Sequence, residues 1–340
     1  MKEKELIIIG SGPAGLKAGQ LAQQLGIDYL IIEKGDVAQA WQDIRPDMPM
    51  LSPCHPQRDW TSISNQFPIW KMPITRPFCF AYEFVQYLKA FCEKFALNIC
   101  TKTQVDKLSY AGNHFIIETE QDIFHSRFIL VATGFFGNPY IPNIPGLRGN
   151  PIVMHSHYYK SPDVFRNKRV AIIGAGNSGA EIAIAICGYA QVYLIARKKL
   201  QFFSKTKSLC HIRGVSESLL LELINMEIIR FVSQANITEV DGNVIHLKNR
   251  KIETNVIICA TGYRPVLDLL KAFEIEVNQE TKFPLIKNTG ESAQIRNLFF
   301  CGPLAYRGLR NLFIHGFIKM IPGTLSVIQK RLRSREVVEA

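Results

Sequence analysis

Twice along this chain a run of four apolar residues meets a glycine-rich turn, first at Leu6-Ile7-Ile8-Ile9 and again at Val170-Ala171-Ile172-Ile173. A short unbroken apolar run that ends at a turn predicts a strand buried on both faces. The stretch after each turn has helical spacing and leads to another apolar run, at 29–32 in the first copy and 192–195 in the second. The order then repeats again. Runs at 115–118 and 128–131 end in Ala132-Thr133-Gly134, and runs at 244–247 and 256–259 end in Ala260-Thr261-Gly262. Asp241-Gly242 between apolar runs signals a hairpin. The fold class expected is α/β, with two Rossmann-like dinucleotide-binding domains, each a parallel core carrying a small antiparallel β-meander. Each Ala-Thr-Gly segment is expected to close its core strand against a ligand.

The turns themselves add the chemistry. The first reads Gly10-Ser11-Gly12-Pro13-Ala14-Gly15 and the second Gly174-Ala175-Gly176-Asn177-Ser178-Gly179. In a G-x-G-x-x-G turn the first glycine makes the tight bend. The second lets the backbone approach a pyrophosphate, and the third lets helix and strand pack closely. The helix start then offers unpaired N–H groups to the anion. At the same offset from the first glycine the copies diverge, with Glu33 followed by Lys34 in one and Arg197 followed by Lys198 and Lys199 in the other. That position faces the adenosine ribose. An acid accepts from a free 2′-hydroxyl, as in FAD, and an arginine suits a 2′-phosphate, as in NADPH. The pair therefore predicts FAD on the first turn and NADPH on the second. Lys198 and Lys199 read either as part of the phosphate site or as a solvated turn.

Organisation follows from the repeat. The second unit is inserted into the first, giving an FAD-binding domain at 1–150 and 285–340 and an NADPH-binding domain at 151–284. Asn138-Pro139-Tyr140-Ile141-Pro142 is a rigid crossing, and the return lies near 262–265 or as late as Pro284. Asn297 to Gly302 reads as one more buried strand of the first domain, with 314–330 as a closing helix. Between Trp41 and Pro77 lie Pro46, Pro49, Pro53, Pro56, Pro68 and Pro73, together with Trp60 and Trp70. This irregular segment either wraps the flavin and shapes the substrate site or covers the sheet edge.

Composition changes the picture less. A length of 340 residues with 47% apolar content is enough for two cores. No apolar stretch reaches the length of a membrane span, and the charged residues 1–5 lead straight into a core strand, leaving no room for a signal peptide. The eight cysteines include no C-x-x-C pair, which points to a reduced, cytoplasmic protein. The net charge of +11 comes partly from the tail at 330–335 and partly suits steering of an anionic cofactor. No nucleic-acid motif is present, no metal site is expected, and a homodimer is left open.

With these motifs in hand, the chain resembles the flavin-containing monooxygenase-like branch of the two-dinucleotide-binding-domain flavoproteins, in its short bacterial form. The resemblance rests on both turns, on Glu181 after the second, on Ala132-Thr133-Gly134-Phe135, on His155-Ser156 with Tyr159, and on Arg307-Gly308-Leu309-Arg310-Asn311 before Phe313. It implies that Val105 presents backbone to the FAD adenine and that Trp41 lies beside the flavin; Gly302, ending the last strand assigned to the first domain, is counted with the FAD site. His155 lies in the crossing, either near the nicotinamide or as a plain hinge residue. Two features depart from the family: Pro151 and Gly149 stand where its fingerprint differs, and Leu51-Ser52-Pro53-Cys54 replaces an asparagine motif. The implied activity is hydride transfer from NADPH to FAD, then oxygen activation at flavin C4a and oxygenation of a small organic substrate. No acid–base pair stands out, because that chemistry belongs mainly to the cofactor. The competing readings are a disulfide or quinone reductase, which Cys54 or Cys301 would serve if it reaches the flavin, each reading otherwise as an inert buried thiol, and a flavin-binding redox sensor.

Overall fold

The protein, seen here as a computed structural model, is described over residues 2–265 and 267–339. The chain opens with β1 (Lys2–Ile9), α1 (Pro13–Gln24), β2 (Tyr29–Ile32) and a short α2 (Gln39–Gln42). The hairpin β3 (Cys54–His55) and β4 (Arg58–Asp59) precedes α3 (Ala81–Lys94) and β5 (Ile99–Cys100). Strands β6 (Val105–Ala111), β7 (His114–Thr119) and β8 (Ile123–Val131) form an antiparallel meander. The second unit holds β9 (Val153–His155), β10 (Arg169–Ile173), α4 (Asn177–Ile186), β11 (Gln191–Ile195), α5 (Phe203–Thr206), α6 (Gly214–Asn225) and β12 (Ile229–Val232). It continues with β13 (Ile237–Asp241), β14 (Val244–Leu247), β15 (Arg250–Glu253) and β16 (Val256–Cys259). The chain returns to the first unit with β17 (Leu298–Phe300), α7 (Ile314–Phe317) and α8 (Ile321–Glu339).

Two compact units result, one of residues 1–138 and 264–340 and one of 139–263. The crossings thus fall at Asn138/Pro139 and Tyr263/Arg264, earlier than 150/151 and 284/285. The physical reason is local. Residues 139–147 pack with the second unit, where Val240 N donates to Pro145 O at 2.9 Å. Residues 267–275 pack under the first, where Leu270 is buried with Leu108 and Phe115.

Both units place a parallel core between two apolar layers. In the first, the order is β5-β2-β1-β8-β7-β6, with β17 also on β8. Leu6 and Ile8 of β1 face the layer of α1, α3 and α8, while Ile7 and Ile9 face the opposite layer. Such two-sided burial is why these strands read as continuous apolar runs. In the second, the order is β12-β11-β10-β16-β9. Val170 and Ile172 join the layer of α4 and α6, and Ala171 and Ile173 join the layer of the meander β13-β14-β15.

The two meanders differ. In the first unit, the nine-residue β8 is long enough to pair with β1 and β7 at once, so the meander is continuous with the main sheet. In the second, the chain breaks between β15 and β16. There Thr254 Oγ1 donates to Arg169 O and Val256 O at 2.8 Å, and the meander stands as a separate sheet. The expected closing helix at 314–330 is two helices rather than one. Pro322 lacks an N–H and is tolerated only in a first turn, so α8 starts there. Among the described residues no helix is long and apolar enough to cross a membrane.

Candidate functional site

The two glycine turns have matching geometry. Gly10 N donates to Ile32 O, Ala132 N to Ile9 O, Gly174 N to Ile195 O and Ala260 N to Ile173 O, each at 2.8 Å. Gly10 and Gly174 have φ of 106° and 108°, a conformation that suits glycine and strains other residues. A Cβ on Gly15 would stand 1.9 Å from Gly10 O, and one on Gly179 1.9 Å from Gly174 O. The outer glycines are therefore required by packing alone. The middle ones are not, since a Cβ on Gly12 or Gly176 would meet nothing within 4 Å. Both middle glycines cap a helix, α1 or α4, without any side-chain hydrogen bond to its first N–H groups. Open space before an uncapped helix start is what a pyrophosphate needs. The residues present fit a dinucleotide on each turn.

The strand ends that follow are physically different. Glu33 is buried, and its Oε2 accepts from Ser11 N and Ser11 Oγ at 2.8 Å while Oε1 accepts from Gly35 N at 3.0 Å. Ser11 Oγ in turn accepts from Ala38 N at 3.1 Å. The carboxylate is thus locked beside the first turn, with lone pairs to spare for a hydroxyl. Arg197, Lys198 and Lys199 are exposed, and no acidic partner holds them among the described residues. Three uncompensated cations at a strand end suit a dianionic phosphate.

Other expected residues take varied places. Gly302, at φ 66°, abuts the first turn, where its Cβ would lie 3.0 Å from that of Ala14. Pro13 and Ala14 are buried in the first turn of α1. Thr133 is exposed beyond β8, and Gly134 turns away at φ 66°. Lys34 is exposed. Val105 begins β6 opposite Thr119, and Trp41 packs edge-on against Phe84 and Phe136 at 4.8 and 5.1 Å. Neither has a hydrogen bond to the first turn. In the second unit, Ser178 is exposed at the start of α4. The Asn177 side chain is taken up by the 209–213 segment, donating to His211 O at 3.0 Å and accepting from Arg213 N at 3.2 Å. Thr261 Oγ1 donates to Tyr140 O.

His155 ends β9 opposite Cys259 and is 1% exposed. Its Nε2 lies 2.9 Å from Gly262 O, and its Nδ1 accepts from His157 N at 3.0 Å. Nδ1 as acceptor leaves Nε2–H as the donor to Gly262. Burial pushes the imidazole down to about 4, so the ring is neutral at physiological pH. With both nitrogens engaged by backbone of its own unit, His155 has no donor left for a nucleotide. It fixes the backbone at Gly262, which turns at φ 78°.

Three contacts escaped sequence reasoning. Ser11 is an unconstrained position of the motif, and only contact shows that it clamps Glu33. Arg213 and Glu181 form a largely buried pair at 3.1 Å that braces the segment over α4, and nothing in their spacing announces it. Cys54 Sγ donates to Pro77 O at 3.4 Å and to Arg76 O at 3.5 Å, and its interaction with the Cys79 thiol holds Cys54 below its ordinary value and pushes Cys79 up. Cys301 is buried, and burial drives its thiol far above the usual range, which makes it unreactive.

Known proteins resemble this architecture. The family described as pyridine nucleotide-disulphide oxidoreductase matches residues 7–302. A probable indole-3-pyruvate monooxygenase of Arabidopsis thaliana, YUCCA4, is 27% identical over 292 residues, 81% of this chain and 68% of that protein. The chain spans about half to two thirds of the length of most curated relatives it matches. Among solved structures, the bacillithiol disulfide reductase Bdr of Staphylococcus aureus superposes with a TM-score of 0.85 at 25% identity, covering 98% of this chain and 99% of that one. A double mutant of a flavin monooxygenase from Stenotrophomonas maltophilia gives 0.84 at 23% identity, covering 98% and 100%.

Proposed function

Because the chain belongs to the pyridine nucleotide-disulphide oxidoreductase family and is an oxidoreductase, we propose that it is an FAD-containing, NADPH-dependent enzyme of the flavin monooxygenase type. The carrying observation is the pair of identical turns, each open at its middle glycine, that end in a buried, clamped Glu33 and an exposed, unpaired Arg197. In this reading residues 1–138 and 264–340 bind FAD, and residues 139–263 bind NADPH. Gly12 and the start of α1 receive the FAD pyrophosphate. Ser11 and Gly35 hold Glu33 so that it accepts from a ribose hydroxyl. Gly176 and the start of α4 receive the NADPH pyrophosphate, and Arg197 with Lys198 binds its 2′-phosphate. His155 holds Gly262 in register at the end of β16. FAD, when bound, supplies the hydride acceptor and the centre at which oxygen is activated. The chain's own task is to bind, orient and exclude water, which agrees with the lack of an evident acid–base pair.

The substrate in this reading is a small organic molecule, with molecular oxygen as co-substrate. The relative named for indole-3-pyruvate supports that class. Rapid-mixing absorbance tests the proposal. Protein reduced by NADPH without air is mixed with oxygenated buffer, and a transient spectrum unlike either the oxidised or the reduced form is expected. Direct return to the oxidised spectrum would sink the oxygenase reading.

A reductase is the second reading, favoured by the likeness to Bdr and by the lowered Cys54 thiol beside Cys79. Direct reoxidation, together with turnover of a disulfide or quinone, would select it.

A further inference from the structure

Residues 200–213 leave the strand end at Arg197 to Lys199 and form a closed loop. Its neck is Phe202 bridged to Ile212, with Phe203 N donating to Ile212 O at 2.7 Å and Ile212 N to Gln201 O at 3.0 Å. Both neck residues are buried in the layer of Val170 and Ala180. The tip is exposed and basic at Lys205 and Lys207. The returning limb is fastened to α4 at two points about one helical turn apart. The Asn177 amide donates to Leu209 O at 3.3 Å and to His211 O at 3.0 Å, and its oxygen accepts from Arg213 N at 3.2 Å. Glu181, four residues further and so on the same helical face, pairs with the Arg213 side chain at 3.1 Å, and the two side chains are only 10% and 13% exposed.

The place of these contacts gives them a consequence. Asn177 is the first residue of α4, directly after the middle glycine of the second turn. The N–H groups of that helix start suit a pyrophosphate. A carbonyl oxygen left bare beside a pyrophosphate would repel it, and the Asn177 amide occupies two, those of Leu209 and His211. Both of its N–H donors are then spent, so none is left for a phosphate. Asn177 acts on a nucleotide through the loop it holds. We propose that Asn177 and the Glu181–Arg213 pair are positioning residues, which latch the 200–213 loop to the start of α4. The latched loop sets the affinity for the dinucleotide common to NADPH and NADH, whereas Arg197 sets the choice between them. This inference rests on the nucleotide assignment proposed above.

Asn177→Ala tests it in the full-length protein as purified. Three quantities are followed: KM for NADPH and for NADH, the affinity for NADP+ by calorimetry, and the rate of trypsin cleavage after Lys205 and Lys207 by mass spectrometry. Losing the three hydrogen bonds of the amide should raise both KM values in the same proportion, by about tenfold, and weaken NADP+ binding to match. The loosened loop should be cut faster than the native one. Asn177→Gln keeps the amide and should recover part of the affinity and of the resistance to trypsin. If Asn177→Ala does not fold, the double variant Glu181→Leu with Arg213→Leu removes both ends of the buried pair and leaves no bare charge. The same joint rise in KM is expected of it. Unchanged KM for both nucleotides would overturn the proposal, as would a rise confined to NADPH. Weaker nucleotide binding with native resistance to trypsin would mean that Asn177 touches the nucleotide itself, and would overturn the latch. In each of these cases native affinity for NADP+ leaves the proposed function standing. A native protein that does not bind NADP+ would sink that function and the latch with it.

Discussion

The two glycine turns share a backbone almost bond for bond, and they part company only where the next strand ends. After the first turn the deciding residue is an acid, buried and tied by Ser11 and Gly35. After the second it is an arginine, exposed and untied. A neutral hydroxyl is recognised by one acceptor fixed in place, whose desolvation is offset by local N–H donors. A dianionic phosphate is recognised by several cations that remain hydrated until the ligand arrives. The template fixes where a dinucleotide lies, and a single residue with its immediate surroundings sets which one.

The largest expected effect falls on packing. Gly15→Ala and Gly179→Ala each place a Cβ 1.9 Å from a carbonyl oxygen. Each should cost about 4 kcal/mol or more in denaturant unfolding, at the scale of severe core clashes. If either variant kept native stability, the two turns would not be built alike.

Arg197→Ala should raise KM for NADPH by roughly tenfold or more, the worth of a charge-assisted contact, and leave KM for NADH nearly unchanged. Equal effects on both would remove the 2′-phosphate assignment and the contrast with Glu33.

The units should also differ in acid sensitivity. In the second, the imidazole of His155 is lowered to about 4, so the unfolded chain binds its proton more readily. That stability is present above about 6.5 and is lost as pH falls towards 4. In the first, burial of Glu291 is opposed by Arg331, the Asn297 N–H and Lys287, which hold the carboxyl at about 2. Its contribution is present above about 4.5 and is lost as pH falls through 2. Hydrogen exchange across pH 7 to 3 should therefore show β9 and β16 opening before β17. Glu291→Gln should cost about 3 kcal/mol at pH 7, because it leaves the paired Arg331 without its counter-charge. Simultaneous opening of both units would refute this ordering.

The smallest effect expected is none. Cys54→Ser should leave NADPH-driven turnover intact under the monooxygenase reading, and its loss would move the account to thiol chemistry.

How much of this was legible follows from the range of each interaction. Strand, turn and helix recur in both halves because two-sided burial writes itself as apolar runs, as at Leu6 to Ile9 and Val170 to Ile173. The Glu33 and Arg197 contrast was legible because it sits at a fixed offset from the glycines. The clamp of Ser11 on Glu33 was not, since any small polar residue satisfies the motif there. Nor was the double backbone bonding of His155, which depends on a strand of only three residues pairing with β16. The meeting of Cys54 with Cys79 joins segments whose distance along the chain carries no periodicity. The boundary at Asn138/Pro139 was blurred because the proline-rich crossing packs with the second unit rather than standing as a linker.

The most direct test of the central claim is the visible spectrum of two variants, Gly12→Val and Gly176→Val, before and after NADPH in the absence of air. Neither substitution meets protein atoms within 4 Å at Cβ, so both should fold. The account predicts a colourless Gly12→Val protein and a yellow Gly176→Val protein that NADPH fails to bleach. A yellow, fully loaded Gly12→Val protein, or a Gly176→Val protein reduced by NADPH as readily as the native chain, would contradict it.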